Sequence, residues 1–147
     1  MITYCRKRES YINNMNHAPS LFRIILQVSD SQHAVEFYTK LLGIEGRDVR
    51  GSRYYFDCGP MILALLDVSS TGDEAKPLPE NIYFSVDDLE AVFERASSLG
   101  CLSAEEVHGA PAGEIIKRPW GERSFYVKDP FGNKLCFVDS TTLFTGQ

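Results

Sequence analysis

The second half of this chain repeats the first. Val28-Ser29-Asp30 leads into Ala34-Val35-Glu36-Phe37 and closes at Leu41-Leu42-Gly43; Val86-Asp87-Asp88 leads into Ala91-Val92-Phe93-Glu94 and closes at Leu99-Gly100. The offset is 58 residues from Val28 to Val86 and 57 from Gly43 to Gly100, which a one-residue slip at the start of the second helix explains. Self-similarity at a long fixed spacing marks one supersecondary unit used more than once. Two copies are too few for a solenoid, so each must bury its apolar face against the other. The expectation is a pseudo-symmetric domain with a cleft between two similar halves.

Periodicity fills in the units. Leu21 to Val28 reads as a buried strand carrying two polar residues. Asp30 or Ser31 can cap the helix that follows, whose stripe is Ala34, Phe37, Tyr38 and Leu41, and Gly43 ends it. Arg53 to Asp57 and Met61 to Leu66 form a hairpin around Cys58-Gly59-Pro60. Ser69 to Pro79 connects the halves. In the second half Asn81 to Val86 is a strand, and Leu89, Val92, Phe93, Ala96 and Leu99 make a helical stripe. Arg123 to Lys128 and Lys134 to Val138 pair around Asp129-Pro130-Phe131-Gly132-Asn133, where Pro130 presets φ and Asp129 can accept from backbone amides. Short strands are also expected around Glu45 to Arg50 and Cys101 to Val107. The modules span about 21–68 and 80–140 of a single domain, 21–140, behind a flexible tail of residues 1–20 that has no apolar period.

Bulk properties narrow the function classes. With 147 residues, 44% hydrophobic and 24% charged, the chain has the make-up of one ordinary soluble domain. A formal charge of −5 argues against nucleic-acid and anionic-membrane surfaces, which call for basic patches. No apolar run is long enough to span a bilayer. Cys5, Cys58, Cys101 and Cys136 are widely spaced with no C-x-x-C, which reads as reduced thiols in a cytoplasmic protein.

Two duplicated strand-helix units, a D-P-x-G-N turn near the C-terminus and Pro119-Trp120-Gly121 before the penultimate strand resemble the vicinal oxygen chelate superfamily. This is the glyoxalase, bleomycin-resistance and extradiol-dioxygenase group. The resemblance covers roughly Leu21 to Asp139. It implies an α+β fold in which two β-α-β-β-β modules form a cupped mixed sheet with the helices outside. It also implies a homodimer and a small-molecule site inside the cup.

The resemblance places the metal ligands of the family's metal-dependent enzymes at definite positions here. The His in the first strand, five residues before its closing Val, falls on Arg23, and the equivalent in the second module on Asn81. The carboxylate after the D-P-x-G turn falls on Cys136, and the first module's counterpart near Ile62 or Ala64. Arg has no lone pair to offer, Asn is a weak neutral donor, and one thiol alone does not hold a divalent ion. The expectation is no metal and no cofactor.

Strand alternation from those positions gives the inward set: Arg23, Ile25 and Gln27; Asn81, Tyr83 and Ser85; Ser124 and Tyr126; Cys136 and Val138; and Tyr55. Candidate ligand-binding residues are Arg23, Gln27, Tyr55, Asn81, Tyr83, Trp120, Ser124, Tyr126 and Cys136. Arg23 either pairs with Glu122 or Asp57, or supplies the positive centre for an oxyanion. Gln27 and Asn81 form a core network or orient a ligand, and the tyrosines are core or wall. Trp120 is a rim residue, packed or lid-like; Arg118 and Arg123 beside it are expected to be solvated, although either could help hold an anion. No nucleophile-base pair is visible.

Three functions follow. One is metal-independent binding or sequestration of an anionic or aromatic small molecule. Another is a metal-free lyase or isomerase in which Tyr126 or Glu122 moves a proton beside Arg23. The third is a ligand-free structural or regulatory dimer. Metal-dependent glyoxalase or dioxygenase chemistry ranks below these.

Overall fold

Equivalent aspartates start the two helices, and equivalent glycines stop them. In the computed structural model, which describes residues 18–146, α1 (Ser31–Leu42) begins where the Asp30 carboxylate accepts from the His33 amide. α2 (Leu89–Leu99) begins where Asp88 accepts from the Ala91 amide. Gly43 and Gly100 end them at φ of 68° and 66°, a left-handed conformation that costs glycine nothing. α2 is one residue shorter, 11 against 12, so the slip in the repeat lies within the helix. Ala34, Phe37, Tyr38 and Leu41 of α1 are buried, as are Leu89, Val92 and Ala96 of α2.

Each helix follows a strand that pairs in parallel with the last strand of its own module. In the first module β1 (Arg23–Val28), β2 (Arg47–Val49), β3 (Arg53–Cys58) and β4 (Met61–Asp67) form a sheet in the order β1-β4-β3-β2. A single 3₁₀ turn at Ser69–Thr71 opens the connector. The second module contains β5 (Ile82–Val86), β6 (Glu106–Val107), β7 (Ala110–Pro111), β8 (Ile116–Lys117), β9 (Arg123–Lys128) and β10 (Lys134–Asp139). Its main sheet runs β5-β10-β9-β8, the same plan. One apolar core, built from Leu26, Phe56, Leu65, Phe125, Leu135 and Phe137 with both helices, covers the same side of both sheets. The architecture is α+β, with helices on one side and an open sheet face on the other.

The structure corrects three expectations. Of the short strand expected around residues 101–107, only Glu106–Val107 forms, and it lies outside the main sheet. Leu102 makes one bridge to Val127, Glu106–Val107 pairs with Ala110–Pro111 as a separate ribbon, and Ile116–Lys117 takes the outer place. That loop is rich in Gly and Pro, so hydrophobic period could not locate its pairing. Asn81 precedes its strand, and β1 begins at Arg23, leaving Leu21 80% and Phe22 57% exposed. Of the expected tail, residues 1–17 lie outside the described residues.

The modules are joined through the D-P-F-G-N turn. Asp129, 4% exposed, accepts from the Tyr38 hydroxyl of α1 at 2.6 Å. It also accepts from the backbone amides of Phe131 (2.9 Å) and Asn133 (2.7 Å) and from the Asn133 carboxamide (2.8 Å). Asn133 in turn donates to the Gln27 carbonyl of β1 and accepts from the Leu78 amide of the connector. Burial, reinforced by the Asp129 charge, raises the Tyr38 pKa well above its ordinary value, so the phenol stays a donor. Tyr38→Phe is expected to lower unfolding stability by about 1–2 kcal/mol. Asp129→Ala, which strands several buried donors, should cost about 3 kcal/mol or more. Urea unfolding measures both, and an Asp129→Ala protein within about 1 kcal/mol of wild type would contradict this role.

Candidate concave ligand site

Register decides which side chains share the open face. On the first sheet Ile25 stands opposite Ala64, Ala64 opposite Tyr55, and Tyr55 opposite Arg47. The neighbouring row is Arg23, Ile62 and Asp57. Ala64 is small, so the Arg23 side chain crosses β4 and donates to the Tyr55 hydroxyl at 3.2 Å. Arg23 and Arg47 place their guanidinium carbons 5.9 and 5.8 Å from the Tyr55 ring centroid, within cation–π range. Arg47 also pairs with Asp57 at 2.8 Å.

The second sheet repeats this arrangement with different chemistry. Tyr83 stands opposite Cys136, Cys136 opposite Tyr126, and Val138 opposite Ser85 on one side and Ser124 on the other. Tyr126 is thus the counterpart of Tyr55, and it too lies beside an arginine. The Arg118 guanidinium sits 5.2 Å from the Tyr126 ring centroid. It is 2% exposed and donates to Ser124 Oγ and to the carbonyls of Pro111, Ala112, Glu114 and Ser124. Among the described residues no carboxylate accepts from it; carbonyl dipoles and an aromatic face solvate the charge. These bonds hold the loop that carries Ala112 against Tyr126, Cys136 and Val138.

The sequence-derived residues therefore fall into two groups. Arg23, Tyr55 and Tyr83 lie on the open face, with Tyr83 57% exposed. Ser124, Tyr126 and Cys136 lie under the loop, each at most 5% exposed. Gln27 is occupied, its side-chain oxygen accepting from the Lys76 amide. Asn81 lies outside its strand, and its side chain makes no hydrogen bond among the described residues. Trp120 is half-buried in the turn between β8 and β9, its indole donating to Glu122 and its ring edge-on to His108 at 5.3 Å. Glu122 also accepts from the Phe144 amide, and Asp57 binds Arg47, so neither pairs with Arg23. Arg123 pairs with Glu90 and Asp139, and Arg118, expected in solvent, is the most fully buried charged side chain among the described residues. Arg47 and Arg118 are the residues missed from sequence: the first depends on a three-residue strand and the second on a loop with no period.

The titratable groups under the loop are held neutral. Burial pushes the Cys136 thiol up to about 11, and the lowering effects of Ser124, Tyr126 and Arg118 do not reverse it. Burial first, then the neighbouring Cys136 and Tyr83, raise the Tyr126 phenol well above its usual range. Beside these residues, a groove of about 420 Å³ separates the edge strands β1 and β5, lined by Ile24, Met61, Ile62, Tyr83 and Ser85 among others.

Comparison with known proteins settles the family. The model of the glyoxalase/bleomycin resistance protein/dioxygenase superfamily matches residues 20–137. The chain belongs to this superfamily. No curated protein matches. Among solved structures, a lactoylglutathione lyase from Agrobacterium tumefaciens is similar at 21% identity and TM-score 0.60, covering 84% of this chain and 95% of that one. A glyoxalase/bleomycin resistance protein from Albidiferax ferrireducens is 21% identical at TM-score 0.66, covering 81% and 98%. An oxidase is 23% identical at TM-score 0.69, covering 88% and 100%. At these identities the likeness speaks for the fold.

The positions at which superfamily likeness puts metal ligands do not suit an ion in this member. Arg23 has no lone pair to offer, Asn81 is a weak donor off the strand, and Cys136 is a buried thiol held protonated. Among the described residues, no group of three or more His, Cys, Asp or Glu side chains is arranged to hold a metal ion.

The Cys136 environment gives a direct chemical test. Its raised pKa leaves about a thousandth of the thiol ionised at pH 8, so the native protein should resist iodoacetamide at Cys136. Modification should accelerate only as pH climbs toward 11 or the protein unfolds. Peptide mapping by mass spectrometry measures this, and rapid native labelling of Cys136 at pH 8 would show an activated thiol instead.

Proposed function

We propose that this superfamily member is a metal-independent small-molecule-binding protein, acting as a homodimer in the cytoplasm on an anionic or aromatic compound. One observation carries the reading: Arg23 and Tyr55 meet on an open sheet face, at a position where a metal ligand would otherwise stand. A guanidinium offers an oxyanion the positive charge that an ion would supply. The face is also unfinished in one chain. Ile25 is 40% and Tyr83 57% exposed beside the apolar Leu21 and Phe22, a surface that supports cover by a second copy. Unpaired Cys58, Cys101 and Cys136 fit a reducing compartment. The functional unit in this reading is the single domain of residues 21–140.

The lyase or isomerase alternative is less well supported. It requires a group near Arg23 that exchanges protons near neutrality. Tyr126 and Cys136 are held in their neutral forms, and the Glu122 carboxylate is engaged by Trp120 and Phe144.

Light scattering at micromolar concentration is expected to give the mass of two chains. Calorimetric titration of aromatic carboxylates should give binding that survives chelation with EDTA and is weakened about fivefold or more by Arg23→Ala. Stoichiometric metal in the purified protein, with binding lost on chelation, would overturn the metal-independent reading.

A further inference from the structure

The open face is electrically one-sided. On the first sheet two guanidiniums flank one aromatic ring, and one carboxylate, Asp57, stands beside them. Across the groove, the second sheet presents neutral Tyr83 and Ser85, and the Arg118 charge below is already engaged by carbonyls. Arg23 donates to a phenol, and among the described residues no carboxylate pairs with it, so its charge can act on a ligand. Arg47 is held by Asp57, but that pair is in water: the side chains are 49% and 66% exposed. An exposed pair of this kind contributes little and is readily exchanged.

We infer that this face selects planar aromatic compounds bearing an oxyanion, and that Asp57 sets the selectivity as the internal carboxylate a ligand displaces from Arg47. The inference rests on the small-molecule reading and adds the charge class and the residue that tunes it. A neutral aromatic can lie against the Tyr55 ring but leaves the Arg47–Asp57 pair intact. An anion of the same shape gains two guanidiniums, one free and one released by exchange. Removing the Asp57 charge should therefore favour anions selectively, although it takes away a contact the protein makes with itself.

Two dyes that differ by one charged group test this: anilinonaphthalene sulfonate and the uncharged N-phenylnaphthylamine, followed by fluorescence titration. The sulfonate is expected to bind about tenfold more tightly, with the gap narrowing as salt is raised. Arg23→Ala and Arg47→Ala should each close the gap to about twofold, and Asp57→Asn should tighten sulfonate binding about threefold. All three side chains lie on the surface, so the variants are expected to fold, which circular dichroism verifies. Equal affinities for the two dyes, or no gain in Asp57→Asn, overturn the inference and leave the small-molecule reading standing. Failure of both dyes to bind overturns the reading and the inference with it.

Discussion

Asp129 sits where everything else in the fold has to meet. It is a carboxylate taken almost wholly out of water, which is tolerable only because its oxygens accept from three backbone or side-chain N–H groups and one phenol. Those donors come from both modules. Tyr38 reaches it from the first helix, while Asn133, shaped by the same turn, reaches the carbonyl of Gln27 and the connector at Leu78. The apolar core presses the two units together without direction, but these bonds have direction. They set how the second module stands beside the first, and so where β1 and β5 run and how the groove between them opens.

Duplication supplied two copies of one plan, and the copies have taken opposite roles. Tyr55 and Tyr126 occupy matching positions, each beside arginine. In the first module the arginines stay in solvent around the ring. In the second, a loop folds over the tyrosine and its arginine is used up in holding that loop. A buried guanidinium without a carboxylate costs desolvation that only several carbonyls together can offset. The outcome is one module whose arginines are exposed beside the ring and one whose arginine is committed to holding a loop.

That division also bears on chemistry. The side chains that could shuttle protons in the second module are those the loop has dried out, and drying moves both toward their neutral forms. The charged groups left in solvent on the first sheet include the Arg23 and Arg47 guanidiniums and the Asp57 carboxylate. Superfamily membership fixes the scaffold and leaves the function to the residues on its open face.

Much of this could be read from the amino acids alone. The repeat, the aspartate and glycine at either end of each helix, the two hairpins and the D-P-F-G-N turn all act over a few residues, so local preference and period reveal them. That Arg23 and Tyr55 share one face followed from strand alternation; that they bond to each other did not. The rest depends on contacts between residues far apart in the chain. Whether Arg118 is solvated or buried turns on which carbonyls the loop brings to it, and Arg47 counts only because β2 pairs with β3 in one particular register. The sequence determined the modules and the donor chemistry at each position, because those are properties of short segments. Tertiary structure alone decided which charges stay available, because burial is set by what the rest of the chain places on top.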